Sequence, residues 1–292
     1  MIDYLDVNDV RVAGQNGSRV VTLIDGLFGT TGVRGQFYDR PEADGSVEAP
    51  NAYMPYRLVI IEGEVSAASI PLAFQEFSVV DAAFRGALDS LVPVRWRAET
   101  GSTDVEGYAR LAGPVTPKLT ADARGPRIQY QAQLRFPDPV WRTVATTSAS
   151  TGVASTTGGI PFPIPFRIPF SQASTSGTVT VVNTGDAAAW PTITVTGPTT
   201  GLRIQCQTTG VRMEFPALNL VAGQYLTVTT GTPGRAATLD GVNVQGEVDW
   251  SVSGWPYAPP GSSTWAFQSL GGGTTSDTTL TVAWQSGYVS PF

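Results

Sequence analysis

Three aromatic side chains, Trp250, Trp255 and Tyr257, crowd into Asp249-Trp250-Ser251-Val252-Ser253-Gly254-Trp255-Pro256-Tyr257. Rings on a loop between glycine and proline can stack on sugars. They can equally cover a core or pack on a second subunit, and because aromatics enrich cores and interfaces alike, the packing reading weighs more. Glu62 and Glu64 share one face of a strand. A glycosidase needs its two carboxylates facing each other across a cleft, so this pair reads as two solvated glutamates near a strand end. Asp3, Asp6 and Asp9 recur at a spacing of three, without the dense oxygen pattern and terminal Glu of a calcium loop. Gly26, Gly29, Gly32 and Gly35 also recur every third residue, which is not the dinucleotide fingerprint, and the stretch reads as a glycine-rich turn.

Absence is the firmest chemical statement. The 292 residues contain no histidine, which excludes Ser-His-Asp and Cys-His catalysis and every His-containing metal site. The one cysteine, Cys206, lies on the apolar face of a strand candidate, and its being alone excludes a four-cysteine zinc site and dithiol chemistry. The one lysine, Lys118, sits in a loop-like Pro-Lys-Leu context with no Ser-x-x-Lys, and there is no Walker A sequence. No catalytic, cofactor-binding or metal-ligating residue is assigned, and enzyme activity is not expected. The formal charge of −6 argues against binding nucleic acid through its phosphates. Met1-Ile2-Asp3-Tyr4 lacks the basic start of a signal peptide, and no stretch approaches the about 18 apolar residues of a membrane span, so a soluble chain without membrane insertion is expected.

The elements that must carry these residues fall on two sides of a joint, Phe136 to Phe170. It opens Phe136-Pro137-Asp138-Pro139-Val140-Trp141, runs through a Ser/Thr/Gly stretch from Thr146 to Gly159, and closes with the Pro/Phe alternation Ile160 to Phe170. Proline denies this region a helix or a central strand, and the Ser/Thr/Gly run reads as a mobile linker. Charge changes across it: residues 1–145 hold 14 of the 18 Lys+Arg and 18 of the 24 Asp+Glu. The expected organisation is therefore a domain over 1–145, a linker over 146–160 and a second domain over 161–292.

The first domain is expected to be α+β. Arg19–Asp25, Tyr56–Val65, Val94–Glu99, Tyr108–Ala112 and Arg127–Arg135 read as strands. Tyr56–Val65 looks buried on both faces for part of its length. Ile128, Tyr130, Ala132 and Leu134 mark a buried face opposite Arg and Gln. Between Leu72 and Leu91, Phe77, Val80, Phe84, Leu88 and Leu91 form one helical stripe that should lie on the sheet. Asp39 to Tyr53 reads as an exposed loop. Beyond the joint, eight short alternating runs indicate a β-sandwich: Thr178–Asn183, Thr192–Thr196, Leu202–Gln207, Val211–Phe215, Gln224–Thr229, Arg235–Leu239, Thr264–Gln268 and Thr278–Trp284. The chain as a whole is mainly β.

Asn183-Thr184-Gly185-Asp186-Ala187-Ala188-Ala189-Trp190-Pro191, running into Thr192–Gly197, resembles the opening of the C-terminal domain of distal tail proteins of phages with long, non-contractile tails. Ala258-Pro259-Pro260-Gly261 through Phe267, followed by Thr278–Trp284, resembles that domain's end. The N-terminal order also fits: strand Arg57–Ile61, the Leu72–Leu91 helix, paired strands, then Arg135-Phe136-Pro137-Asp138-Pro139. The resemblance implies a virion protein of the tail tip, assembled in the host cytoplasm. It implies an N-terminal ring (belt) domain and a galectin-like C-terminal sandwich. Its implied partners are further copies of itself in a homo-hexameric ring, the tail tube protein, and a tail-associated lysin or other baseplate protein. The ring would surround the DNA exit path. The alternative is a carbohydrate-binding module on an α+β adaptor, with Trp250, Trp255 and Tyr257 touching host cell-wall polysaccharide.

Overall fold

The computed structural model describes the chain apart from residues 1, 15–16, 30, 33–36, 40–45, 49–52, 100–101, 123–124, 153–176, 232–233, 272 and 291–292. It divides into two compact units, Met1–Val144 with Tyr288–Phe292, and Ala145–Gly287.

The first unit contains β1 (Tyr4–Val7), β2 (Val10–Gly14), β3 (Arg19–Asp25), β4 (Phe37–Asp39), β5 (Ser46–Glu48), β6 (Arg57–Ser66), α1 (Ile70–Gly86), β7 (Val92–Arg97), β8 (Val105–Leu111), β9 (Thr116–Asp122), β10 (Gly125–Phe136) and β11 (Trp141–Thr143). The hydrogen-bonded order is β2-β1-β7-β8-β10-β6-β3, with β9 alongside β10 and β11 alongside β8. These pairings are antiparallel. The alternation in β10 does what its pattern dictates: Ile128, Tyr130, Ala132 and Leu134 are buried. Strand β6 alternates as well, burying Val59, Ile61 and Val65 while Leu58 is exposed, so it is buried on one face rather than two. Its opposite face is not covered by α1, which lies over β2, β6 and β10.

Helix α1 starts with Pro71 in its first turn, where a missing N–H costs nothing. Ala73, Phe77, Val80, Ala83 and Phe84 form its buried stripe. The expected stripe ran on to Leu88 and Leu91. The helix instead stops at Gly86, where a Cβ would stand 2.6 Å from the Asn8 amide nitrogen, and the chain turns there. Leu88 is left exposed. One loop reading also changes: Ser46–Glu48 within the expected loop pairs with β4. The Asp3–Val12 stretch, for which no element was expected, forms β1 and most of β2.

The second unit contains β12 (Thr147–Gly152), β13 (Thr178–Asn183), β14 (Thr192–Thr196), β15 (Thr199–Cys206), β16 (Arg212–Leu220), β17 (Tyr225–Thr229), β18 (Ala236–Leu239), β19 (Val242–Asn243), a single 3-10 turn (Gln245–Glu247), β20 (Gly261–Ser269) and β21 (Thr279–Trp284). A short β22 (Gly287–Tyr288) leads back to the first unit. Two sheets, β12-β21-β14-β17-β18-β19 and β13-β20-β15-β16, enclose one core that includes Ile193, Val195, Ile204, Phe215, Val228, Trp265, Phe267 and Val282. The mainly β class expected from the sequence is the class observed.

The start of the expected linker is a strand: residues 147–152 pair with β21 in unbroken register from Thr147↔Trp284 to Gly152↔Thr279. Serine and threonine satisfy a sheet ladder as well as any residue, and β21 offered an unpaired edge. The rest of the linker and the Pro/Phe run lie outside the described residues. Phe136 and Trp141, at the head of the expected joint, are core residues of the first unit. Trp141 packs edge-on against Trp96 (5.7 Å, 83°) and Phe136 (4.9 Å, 62°).

Candidate functional site

The residues that could have done chemistry do not converge. Glu62 and Glu64 lie on the outward face of β6, opposite Gln131 and Gln129 of β10. Gln131 donates to Glu62 (3.0 Å) and Gln129 to Glu64 (3.4 Å), and Arg127 pairs with Glu64 (3.5 Å). This is a polar ladder on a sheet, not a pair across a cleft. Asp3, Asp6 and Asp9 each hold a different arginine, Arg97, Arg11 and Arg95. Asp104 holds Arg97 as well, and that bond keeps the Asp104 carboxyl below the ordinary range. Among the described residues there is no group of three potential ligands for a metal ion. Cys206 is fully buried in the sandwich core. Lys118 is in strand β9 rather than a loop, opposite Gln129. Among the described residues no helix is long and apolar enough to cross a membrane.

The glycine-rich turn after β3 serves a structural purpose. Gly26 adopts φ +78°, and a Cβ there would lie 2.0 Å from the Leu58 carbonyl oxygen, so only glycine fits. The turn presents the carbonyls of Gly26 and Leu27 to Arg57, which is 2% exposed. The Arg57 guanidinium also donates to Pro139 O (3.1 Å) and Val289 O (2.8 Å). Four main-chain carbonyls therefore solvate one buried cation, and burial lowers its pKa. Through Val289 this side chain fixes the last described residues onto the first unit, with Gly29 N–H donating to Ser290 Oγ at 3.2 Å.

Two surfaces remain. The first is the sheet segment β3-β6-β10-β9, whose strands β3 and β9 each have one hydrogen-bonded neighbour among the described residues. Register places Val20, Glu64, Gln129 and Lys118 on one rung, and Leu23, Glu62, Gln131 and Thr116 on the next. Val20, Leu23 and Leu119 are exposed. Strands presenting unpaired edges are templates for pairing with another chain.

The second surface lies on the sandwich. Trp250 and Trp255 are in contact (5.6 Å), and Tyr257 packs against Trp190 (5.4 Å). Arg235 joins the two pairs, with its guanidinium carbon 4.9 Å from the Trp190 ring and 5.8 Å from the Trp255 ring. The three aromatics singled out in the sequence thus come together, along with two residues the sequence did not single out. Trp190 was hidden by its distance along the chain. Arg235 carried a signal: it is one of four basic residues after position 145.

Residues 184–288 match the family described as siphovirus-type tail component, C-terminal domain. No curated protein matches the chain. Among solved structures, the chain is similar to the Dit protein (gp 19.1) of phage SPP1, described as a paradigm of the hub adsorption apparatus in phages infecting Gram-positive bacteria. The identity is 13%, the TM-score 0.64, and the match covers 97% of this chain and 98% of that one. A chain of the phage P2 baseplate in its activated conformation with Ca aligns at 10% identity and a TM-score of 0.48 over 97% of this chain and 98% of that one. The resemblance to phage distal tail proteins therefore holds in two independent comparisons: sequence over most of the second unit and fold over the whole chain.

Proposed function

We propose that this chain is a distal tail protein: a non-catalytic, structural hub of a phage tail tip. The observation that carries this reading is the siphovirus tail-component match over residues 184–288, on a chain similar in fold to the SPP1 Dit protein over 97% of its length. In this reading the chain resides in the virion, at the tail's end, after assembly in the host cytoplasm. It joins the tail tube to a lysin or other baseplate proteins.

A ring of six copies follows from the same resemblance, and strands β3 and β9, each with one hydrogen-bonded neighbour among the described residues, support it. Strands β3, β6, β10 and β9 alternate in direction. The β9 edge of one copy can therefore pair antiparallel with the β3 edge of the next. Such a head-to-tail contact is heterologous and generates a ring when its rotation closes. The Glu62, Glu64, Gln129, Gln131 and Gln133 face then lines the DNA path; it also carries Lys118 and Arg127, but Arg127 is held by Glu64 and Asp122, so the carboxylates and amides leave phosphates little to hold. The second unit, galectin-like in this reading, projects outward, with Trp250, Trp255 and Tyr257 available to host polysaccharide.

The test uses the chain's single, buried cysteine as an advantage. A Val20→Cys, Lys118→Cys protein, oxidised at high concentration, should give an intermolecular disulfide ladder that ends at six. Particles that form without that cross-link, or a ladder that continues past six, would sink the proposed closure. Gold-labelling the chain on the virion tests the hub itself, and a label anywhere but the tail tip would refute it.

A further inference from the structure

The sandwich surface carries a strip of five side chains in unbroken contact: Tyr257, Trp190, Arg235, Trp255 and Trp250. Its outer end is open to solvent, since Trp250 is 48% exposed. Its centre is a cation. Three arginines of this unit are described, and Arg203 and Arg212 both spend their charge on Glu214. Arg235 is the one described cation of the unit without a carboxylate partner, and it is exposed.

Arg235 is also held in place. Its Nε donates to the Thr230 carbonyl at 3.1 Å, and Thr230, fully buried, is itself tied to Pro191 O by its hydroxyl at 2.7 Å. Gln245 donates to the Arg235 carbonyl at 3.0 Å. Both tryptophan faces lie within cation–π range of the guanidinium. Anchoring through Nε leaves the two terminal nitrogens as a fork of the kind that grips carboxylate or phosphate oxygens in two parallel bonds. A fork that is fixed before binding loses little entropy on binding.

We propose that this strip binds an anionic polysaccharide, with the Arg235 fork on a carboxylate or phosphate group and Trp255 and Trp250 stacked on neighbouring sugar rings. Rings and an arginine also make protein hot spots; what favours a sugar chain is that the described cation between the rings has no carboxylate partner, and a charged polysaccharide offers apolar ring faces together with an anion at fixed intervals. This site does not depend on ring closure, so its failure and that of the hub assignment are separable.

The experiment is tryptophan-fluorescence titration of the full chain with three probes: hyaluronan fragments carrying carboxylates, poly(glycerol phosphate) carrying glucose, and neutral dextran. Saturable binding to one anionic probe at least tenfold tighter than to dextran is expected, and which anionic probe wins identifies the group. Arg235→Gln should abolish that preference. Trp250→Ala should weaken binding at least fivefold, with an unchanged circular dichroism spectrum and melting temperature confirming the fold. Equal binding to dextran, no saturable binding to any probe, or an Arg235→Gln protein that retains the preference would each overturn the proposal. Loss of copy–copy or baseplate association in the same variants, without glycan binding, would reassign the strip to a protein interface.

Discussion

Each unit holds loops together with a buried polar side chain, and the two choices differ in kind. The first unit uses Arg57, a pure donor, on four carbonyls at Gly26, Leu27, Pro139 and Val289. The second uses Asn183, whose Nδ2 donates to Ala187 O (2.7 Å) and Ala258 O (3.3 Å) while its Oδ1 accepts from Gly185 N (3.1 Å) and Gly287 N (3.2 Å). The difference follows from what the loops leave unpaired. Where only carbonyls converge, a guanidinium satisfies them. Where carbonyls and amides converge, a side-chain amide can satisfy both kinds. The contrast extends outward. Arg–carboxylate pairs recur throughout the first unit, from Arg11–Asp6 to Arg142–Asp138, whereas in the second Arg203 and Arg212 share Glu214. The buried contact that ties loops together is thus charge-assisted in the first unit and neutral in the second.

The sharpest way to break that comparison is Arg57→Met, which keeps the stem and removes every donor. Four carbonyls lose their partner inside the protein, and a loss of about 4 kcal/mol is expected, confined to the first unit's transition. Calorimetry should show that transition falling by roughly 10 °C while the other stays in place. A shift of both transitions would end the assignment of Arg57 to one unit's stability.

Asn183→Ala is the counterpart. It orphans two acceptors and two donors, for an expected cost of about 3 kcal/mol in the second unit's transition. A cost below about 1 kcal/mol would mean that water replaces the amide there.

The smallest effect concerns pH. The Asp104 carboxyl is held below its ordinary range, first by its bond with Arg97 and then by one from Tyr4, whose own pKa is pushed up to about 12 chiefly by burial. A carboxyl with a lower pKa folded than unfolded binds fewer protons folded, so its contribution is whole above about pH 4 and disappears as pH falls through the folded value. Melting curves from neutral to strongly acidic pH should therefore fall more steeply for the unaltered chain than for Asp104→Asn. Parallel curves would show that this bond does not distinguish folded from unfolded.

Much of the fold was legible in the residues. Thr178–Asn183 and Thr192–Thr196 are strands at the bounds their alternation implied, and the buried face of β10 is the one its pattern marked. The aromatic triple Trp250, Trp255 and Tyr257 was legible too, because those residues are neighbours in sequence. Trp190 and Arg235 were not, because they reach the strip from separate loops. The strand at 147–152 was missed because serine and threonine carry no apolar alternation, although their main chain bonds as well as any other.

What the sequence determined by itself is therefore local: which runs extend, which face of each is apolar, and which chemistries are excluded for want of histidine and a second cysteine. Tertiary structure alone decided that Trp141 is core rather than hinge, that Thr147–Gly152 completes a sheet, and that Arg57 meets a carbonyl from the far end of the chain. The reason is physical. Side-chain alternation is written in consecutive residues, whereas every unpaired carbonyl and amide must find its partner wherever the folded chain brings one.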